Sequence, residues 1–337
     1  MVTRSEMVPE IRGVRSEEER ESVRALLRSE FEVAPGVGDA FANLYDSLLS
    51  YDPAVSADCS RVAVYEGRVV GHALLAPREI RVCDGDCPGG LIGMVVVHPD
   101  YRGRGVGSGL IDDVHRQAQD RKLGLLILAG DPGFYRRFGY HDAFTRTECS
   151  VDVGPSRADE EVLRPATLSD VNALSEISRQ SVPSGAVSPS PARWEWILRT
   201  GHPAALLASN PALLGYRANE DWCLIADSEL GYVRVAVGGR QATVYEAGLA
   251  DDSSAVCILQ ALTAACHREG VADLKLRLPS QSALLKAANV DARPTVDPEF
   301  QFKVIDLDVL LGASEKGLEA RIRRDFPDWV GSVLIRT

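Results

Sequence analysis

The feature that most constrains this chain is a turn rich in glycine and arginine, which joins a strand pattern to a helix pattern. The run Leu91–Val97 is almost entirely apolar, as is typical of a strand covered on both faces. After the turn, Val106, Leu110 and Val114 recur at helical spacing. Glycine lets backbone N–H groups approach a ligand closely, and a helix start offers unpaired N–H donors with a partial positive charge. This strand–turn–helix unit predicts a pyrophosphate site.

The pattern of elements around the turn occurs twice. At 337 residues the chain is long for a single core, so two domains are expected. The order helix, helix, hairpin, strand, helix, strand, helix begins to repeat after a polar linker at 153–159, which predicts domains at 1–152 and 160–337. The predicted elements are 15–31, 40–49, 61–65, 69–76, 91–97, 106–118, 123–128, 132–138, a strand opening at Gly139-Tyr140, 171–177, 222–226, 230–237, 241–249, 255–266, 274–278 and 282–288.

The second repeat lacks the glycine–arginine turn. At the corresponding position the sequence reads ADDSS, with Asp251 and Asp252 at the predicted helix start. Two carboxylates there would repel a pyrophosphate. The second domain is therefore predicted to be a degenerate copy without this site.

Three kinds of phosphate ligand are bound by glycine-rich turns of this type. A nucleoside-triphosphate P-loop needs Gly-Lys-Ser/Thr, which the sequence does not contain. A dinucleotide turn needs a third glycine where this chain has Ser108 or Leu110, and it opens a parallel unit, whereas this turn follows an antiparallel hairpin pattern. The third ligand is an acyl-coenzyme A, and its turn motif fits better.

Arg102, Gly105 and Gly107 stand in the R/Q-x-x-G-x-G/A pattern of the GCN5-related N-acetyltransferases (GNAT superfamily), which the region 10–150 resembles. The segment GDPGFYRRFGY at 130–140 is similar to that family's later Tyr-x-x-x-Gly-Phe/Tyr segment. The resemblance implies an α/β (α+β) fold with two GNAT-like domains in tandem. Each would be a mixed, mostly antiparallel twisted sheet, flanked by helices and splayed between its central strands.

The resemblance also implies roles for individual residues. Acetyl-CoA would be the co-substrate, with its acetyl group passing directly to an amine and no metal required. Tyr135 would donate a proton to the departing CoA thiolate, although a purely packed aromatic is the alternative. Backbone groups of Val95, Val96 and Val97 would hold the pantetheine arm, and one N–H would polarise the thioester carbonyl. The pyrophosphate would be wrapped by Arg102, Gly103, Arg104, Gly105, Val106, Gly107 and Ser108.

The general base is not assigned by the sequence. Many relatives place a glutamate on or near the central strand, but Leu91–Val97 has no titratable side chain. Glu30, Asp46 and Glu79 are proposed from position as acceptor-site residues, and His98 lies in the turn, where a structural role is commoner. The stretch 29–60 contains six carboxylates and no lysine or arginine. It predicts a cationic amine acceptor, with a solvated acidic face as the alternative.

Composition limits the other partners. A net charge of -11 argues against nucleic acid, and no apolar run is long enough to span a membrane or serve as a secretory signal, so we expect a cytoplasmic protein. The seven cysteines lack zinc spacing. The second domain is expected either to complete the acceptor cleft or to form the interface of a homo-oligomer. The predicted function is N-acetylation of a small amine; a non-catalytic acyl-CoA-binding or regulatory protein and a dinucleotide-dependent oxidoreductase are the alternatives.

Overall fold

The computed structural model describes residues 8–33, 36–83, 85–142, 145–153, 163–181, 183–188, 190–200, 220–288, 295–296 and 300–325. Contacts divide the chain into two units. The first comprises Met1–Leu128 with Phe302–Thr337, and the second comprises Ala129–Gln301.

The helices and strands are numbered here in chain order. They are β1 (Glu10–Gly13), α1 (Glu17–Glu30), α2 (Val37–Tyr51), β2 (Ser60–Tyr65), β3 (Arg68–Val82), β4 (Gly85–Val97), α3 (Val106–Asp120), β5 (Leu125–Ala129), α4 (Pro132–Tyr135), β6 (His141–Asp142), β7 (Thr145–Val151), β8 (Leu163–Pro165), α5 (Val171–Ser181), α6 (Pro191–Thr200), β9 (Glu220–Ala226), β10 (Gly231–Gly238), β11 (Gln241–Leu249), α7 (Ala255–Arg268), β12 (Asp273–Leu278), α8 (Ala283–Ala287), β13 (Thr295–Val296), β14 (Phe300–Val304) and α9 (Leu307–Asp325).

The first unit is built on a mixed sheet whose strand order is β1-β2-β3-β4-β5-β14. Strands β1 to β4 pair antiparallel, and β4 pairs parallel with β5. The parallel pairing runs only from Gly89↔Leu125 to Ile92↔Leu128, although β4 continues to Val97. The two central strands therefore part after Ile92. Helices α1, α3 and α9 pack on this sheet.

Local signals explain where the first helix begins. The Ser16 side chain accepts a hydrogen bond from the Glu19 amide, and three acidic residues occupy the first turn, where they complement the helix dipole. Val23, Leu26 and Leu27 form its buried face. The predicted helix at 15–31 is confirmed to within two residues at its start and one at its end.

The second unit contains the mixed sheet β13-β7-β12-β11-β10-β9-β8. Its one parallel pairing, between β11 and β12, runs from Gln241↔Asp273 to Val244↔Leu276, while the other pairings determined for its described strands are antiparallel. Apolar side chains of β10, β11, β12 and α7 form its core. Two mixed sheets flanked by helices confirm the predicted fold class.

The chain divides at points other than the predicted boundaries of 152 and 160. Strand β7 pairs with β12 in the second sheet, from Thr147↔Leu278 to Val151↔Leu274. Residues 302–325, which the sequence assigned to the second domain, belong to the first unit. There α9 packs so closely that a Cβ on Gly85 would lie 1.7 Å from the Ala313 carbonyl oxygen.

Two smaller predictions can also be compared with the structure. The strand expected to open at Gly139-Tyr140 is wrong by two residues, because Gly139 ends a 3₁₀ turn with φ of 83° and β6 begins at His141. Of the linker predicted at 153–159, all but Val153 lies outside the described residues. No helix in the described part of the chain has the length and apolarity needed to cross a bilayer.

Candidate active site

The predicted pyrophosphate turn is an open loop leading into α3. His98 Nδ1 accepts a hydrogen bond from the Asp100 amide at 3.3 Å, which starts the 3₁₀ turn Pro99–Tyr101. Gly103 and Gly105 then adopt φ of 70° and 83°, in the left-handed region that other residues avoid. A Cβ added at either position would meet no atom within 4 Å. The loop thus exposes bare backbone on one side.

The start of α3 suits an anion. Gly105 is its N-cap residue and supplies no side-chain hydrogen bond to the first-turn amides. Val106 is 2% exposed, so only its backbone is available to a ligand. Gly109 has a different role, since a Cβ there would lie 2.7 Å from Ile11 Cδ1. Gly109 therefore serves packing against β1 and not the turn.

The arginines of the turn are held by neighbouring groups. Arg102 donates from Nε to the Val97 carbonyl at 3.0 Å, and its Nη2 pairs with the Glu30 carboxylate. The Arg104 guanidinium lies over the Tyr101 ring, 5.7 Å from its centroid. Arg102 thus ties the end of β4 to the end of α1.

Strand β4 contains a bulge next to the predicted pantetheine residues. Its pairing with β3 shifts register between His72 and Leu74, and Met94 takes a φ of 53°. A positive φ is rare for a residue with a long side chain. The bulge therefore lies in β4 immediately before Val95, Val96 and Val97.

A buried histidine contacts this bulge. His72 on β3 is fully buried, and its Nδ1 lies 2.9 Å from the Met94 carbonyl oxygen. Its Nε2 lies 3.0 Å from Ser60 Oγ, which is 2.9 Å from Tyr45 Oη. Burial lowers the pKa of His72 to about 4, so its ring is neutral near neutral pH. The sequence analysis did not identify His72; the available signal was a lone histidine in an apolar strand.

Tyr135 ends α4, the short helix that follows β5. Its ring is 8% exposed and packs edge-on against Phe134 and Tyr140, with centroids 4.9 and 5.9 Å away. Gly130 makes room for it, because a Cβ there would lie 2.4 Å from Tyr135 Cε2. Burial, with a smaller contribution from Asp131, raises the pKa of the phenol to about 12. Within the described residues, no group forms a hydrogen bond with its hydroxyl.

Comparison with known proteins identifies this arrangement. Residues 10–143 match the family model described as Acetyltransferase (GNAT) domain. This part of the chain is similar to a GNAT domain. No curated protein shows a significant sequence match to the chain.

Solved structures share the fold over most of the chain's length. A GCN5-related N-acetyltransferase from Kribbella flavida aligns with a TM-score of 0.68 at 19% identity, covering 91% of this chain and 74% of that one. Eis1 from Mycobacterium abscessus aligns at 0.60 and 17% identity, covering 91% and 76%. The Saccharomyces cerevisiae N-myristoyltransferase with bound myristoyl-CoA aligns at 0.58 and 11% identity, covering 90% and 83%.

Most carboxylates of the acidic stretch 29–60 pair with arginines that lie outside it. Five of its six carboxylates form ion pairs, and the sixth, Glu32, accepts hydrogen bonds from the Gly36 and Gly38 amides. Folding thus supplies the positive charges that the stretch itself lacks. The pairs are Glu30–Arg102, Asp39–Arg28, Asp46–Arg24, Asp52–Arg78 and Asp58–Arg61.

The three predicted acceptor residues of the GNAT domain have separate surroundings. Glu30 pairs with Arg102, and Asp46 with Arg24 at 2.8 Å. Glu79 lies on β3, where partial desolvation and then the charge of Asp86 raise its pKa. The general base is not identified by these contacts.

Metal ligation and two buried thiols can be assessed among the described residues. They contain no group of three or more His, Cys, Asp or Glu side chains that could hold a metal ion. Burial raises the pKa of the Cys87 and Cys266 thiols to about 11, which leaves them protonated and unreactive near neutral pH.

Proposed function

We propose that the protein is an acetyl-CoA-dependent N-acetyltransferase that transfers the acetyl group directly to the primary amine of a small acceptor. The observation that carries this proposal is the open turn at Gly103 and Gly105, which leads to a helix start without a side-chain cap. Backbone amides at such a position suit the pyrophosphate of coenzyme A. The match of residues 10–143 to the GNAT family supports acyl transfer as the chemistry.

In the proposed binding mode, the backbone of Val95, Val96 and Val97 pairs with the pantetheine arm as an added strand would. The region 102–108 wraps the pyrophosphate. Because Arg102 already pairs with Glu30 and donates to the Val97 carbonyl, we assign it a shared role in shaping the turn and in adding positive charge.

The proposed reaction is a direct transfer. The amine nitrogen attacks the thioester carbonyl carbon, a backbone N–H of β4 stabilises the oxyanion, and the C–S bond then breaks. The departing thiolate takes the Tyr135 proton, the proton lost by the amine passes to water, and the tyrosine is reprotonated from solvent. The free hydroxyl and the raised pKa of Tyr135 support this role, since both keep the phenol available and protonated.

The nature of the acceptor is the finer part of the proposal. We propose a cationic amine, with Glu30, Asp46 and Glu79 as candidate contacts, in a cytoplasmic protein that binds neither nucleic acid nor membrane. The arginine pairs reduce the net charge of the acidic stretch, so the electrostatic support comes from the overall charge of -11. We also propose that the protein forms a homo-oligomer.

Thiol release from acetyl-CoA across a panel of amines tests the function. The panel contains polyamines, aminoglycosides, neutral amines and acidic amino acids, and parallel reactions replace acetyl-CoA with longer acyl-CoA donors. We expect amine-dependent release that is fastest with polycations and falls strongly in Tyr135→Phe. Coenzyme A binding without release in any reaction would instead favour the non-catalytic acyl-CoA-binding protein, which the lack of a titratable side chain on Leu91–Val97 also favours.

A further inference from the structure

The bulge in β4 fixes one peptide unit beside the proposed thioester site. Met94 is the residue with φ of 53°, and the bond from Met94 to Val95 is trans. In a trans peptide the C=O and N–H groups point in opposite directions. The direction of the Met94 carbonyl therefore determines the direction of the Val95 N–H.

His72 holds that carbonyl through a chain of hydrogen bonds with one consistent direction. A carbonyl oxygen only accepts, so His72 Nδ1, 2.9 Å away, must carry the proton. In a neutral ring Nε2 is then an acceptor, which makes Ser60 Oγ its donor at 3.0 Å. Ser60 Oγ in turn accepts from Tyr45 Oη at 2.9 Å. Every member is buried and satisfied in this arrangement, so only one tautomer of His72 fits.

The Val95 N–H consequently points away from the His72 ring. His72 lies on β3, which flanks β4 on one side, and the pairing of β4 with β5 on the other side ends at Ile92↔Leu128. The amide is thus directed toward the edge of β4 that β5 has left. That edge is where a pantetheine arm could run beside Val95, Val96 and Val97.

We propose that His72 is a positioning residue for acyl transfer: by donating from Nδ1 to the Met94 carbonyl it aims the Val95 N–H at the thioester carbonyl oxygen. The inference rests on the proposed function and adds a residue that touches neither substrate. It also accounts for the strained φ of Met94, because the bulge is what turns this peptide unit out of the β3 ladder.

Two substitutions at position 72 separate this role from simple packing. In His72→Asn the amide nitrogen stands two bonds from Cβ, as Nδ1 does, and still reaches the Met94 carbonyl. In His72→Gln the nitrogen stands one bond further out, near the place of Nε2, and the bond to Met94 is lost. Tyr45→Phe is the matched control, because it removes a buried hydrogen bond from the same chain without touching His72 or Met94.

The readout is the ¹³C resonance of acetyl-CoA labelled at the thioester carbonyl, measured with the full chain. Polarisation by the Val95 N–H moves the bound resonance downfield of free acetyl-CoA. We expect wild type, His72→Asn and Tyr45→Phe to share this shift, and His72→Gln to lose most of it. In turnover, kcat of His72→Gln should fall about 10- to 100-fold, since one oxyanion donor is misdirected. Its Kd for coenzyme A should stay within about twofold, because that ligand has no thioester carbonyl to polarise.

Each contrary result has a distinct meaning. An unchanged ¹³C shift in folded His72→Gln overturns the proposal, as does an equal loss of kcat and coenzyme A affinity in all three variants. A downfield shift in wild type without acetylation of any amine refutes the proposed function but supports the positioning role. Failure of wild type to bind acetyl-CoA refutes both.

If His72→Gln does not fold, wild type alone still decides. In protein labelled with ¹⁵N-histidine, the proposal requires His72 to be protonated at Nδ1 and bare at Nε2 near neutral pH. The opposite tautomer, or a charged ring, overturns it.

Discussion

A single added methyl group at Gly105 should separate ligand binding from folding. Gly105 has φ of 83°, and a Cβ there would meet no protein atom within 4 Å. Gly105→Ala therefore clashes with nothing in the folded chain and costs only the left-handed backbone, about 1–2 kcal/mol. The methyl group would stand in the open turn, where the proposed pyrophosphate binds. Losing one charged hydrogen bond there costs about 1.5–3 kcal/mol, or about 10- to 150-fold in Kd.

Gly67 offers a matched control. It lies in the hairpin turn between β2 and β3, has φ of 76°, and also has no atom within 4 Å of an added Cβ. Gly67→Ala should lose the same stability as Gly105→Ala and keep its affinity for coenzyme A. The assay is titration calorimetry with coenzyme A, alongside thermal unfolding of both variants.

A donor without pyrophosphate sharpens the comparison. For S-acetylpantetheine, kcat/KM should be the same in Gly105→Ala as in wild type, because the added methyl group contacts only the diphosphate. Equal coenzyme A affinity in Gly105→Ala and wild type would refute the placement of the pyrophosphate. An equal loss in Gly67→Ala would show that general destabilisation, and not the turn, controls binding.

Two further predictions concern buried titratable groups. Tyr135→Phe should lower kcat about 10²–10³-fold. It should leave coenzyme A affinity and the melting temperature unchanged, because the Tyr135 hydroxyl bonds to no described residue. Because the pKa of Tyr135 is raised to about 12, kcat should show no alkaline fall below about pH 10; a fall that occurs in wild type and not in Tyr135→Phe would contradict the assignment. His72 is neutral when folded, so stability should be lost as pH drops from 6.5, its unfolded pKa, to about 4. This displacement corresponds to about 3 kcal/mol. His115 has the same lowered pKa in both proteins, so denaturant unfolding across that range should show a larger loss of stability in wild type than in His72→Asn.

The strand–turn–helix of the site could be predicted because its signals are local. An apolar strand, a run of glycines and a helical stripe lie next to one another in the sequence, and the backbone geometry follows from the residue types. The same is true of α1, where Ser16 caps the first turn. Local chemistry thus accounts for the elements, and the motif accounts for the family.

Contacts distant in sequence escaped prediction. The partner of Arg102 is Glu30, 72 positions away, and five of the six carboxylates of the acidic stretch pair with arginines outside it. Two features of the fold also depend on contacts distant in sequence: β7 pairs with β12, and residues 302–325 belong to the first unit. A charge count along the sequence cannot reveal either kind of pairing.

The bulge at Met94 escaped for a different reason. A positive φ is expected at glycine, and Gly93 stands immediately before it, yet Met94 adopts the left-handed conformation. The buried chain from Tyr45 through Ser60 to His72 supplies the hydrogen bond that holds the bulge, and its members come from α2, β2 and β3. The positive φ of Met94 thus depends on side chains from α2, β2 and β3, whose proximity the sequence does not reveal.

The segments before α3 and α7 differ in whether a side chain accepts hydrogen bonds from their backbone amides. Gly105 leaves the first-turn amides of α3 without a side-chain cap, whereas the Asp251 carboxylate accepts hydrogen bonds from the Ser253 and Ser254 amides ahead of α7, at 2.8 and 3.1 Å. A hydrogen bond from the Ser253 hydroxyl, followed by those from the Ser253 and Ser254 amides, lowers the pKa of the Asp251 carboxylate. An anion approaching α7 would meet a fixed carboxylate where α3 offers amides.

We therefore expect one coenzyme A per chain. Calorimetric titration should give a stoichiometry near one, and Gly105→Ala should weaken that single transition. Asp251→Ala should leave both the stoichiometry and the affinity unchanged, because removing the cap restores two amides but supplies neither the glycine turn nor an arginine. Two transitions in wild type, or a residual tight transition in Gly105→Ala, would mean that the second repeat binds coenzyme A despite the Asp251 carboxylate ahead of α7, and the carboxylate argument would then be wrong.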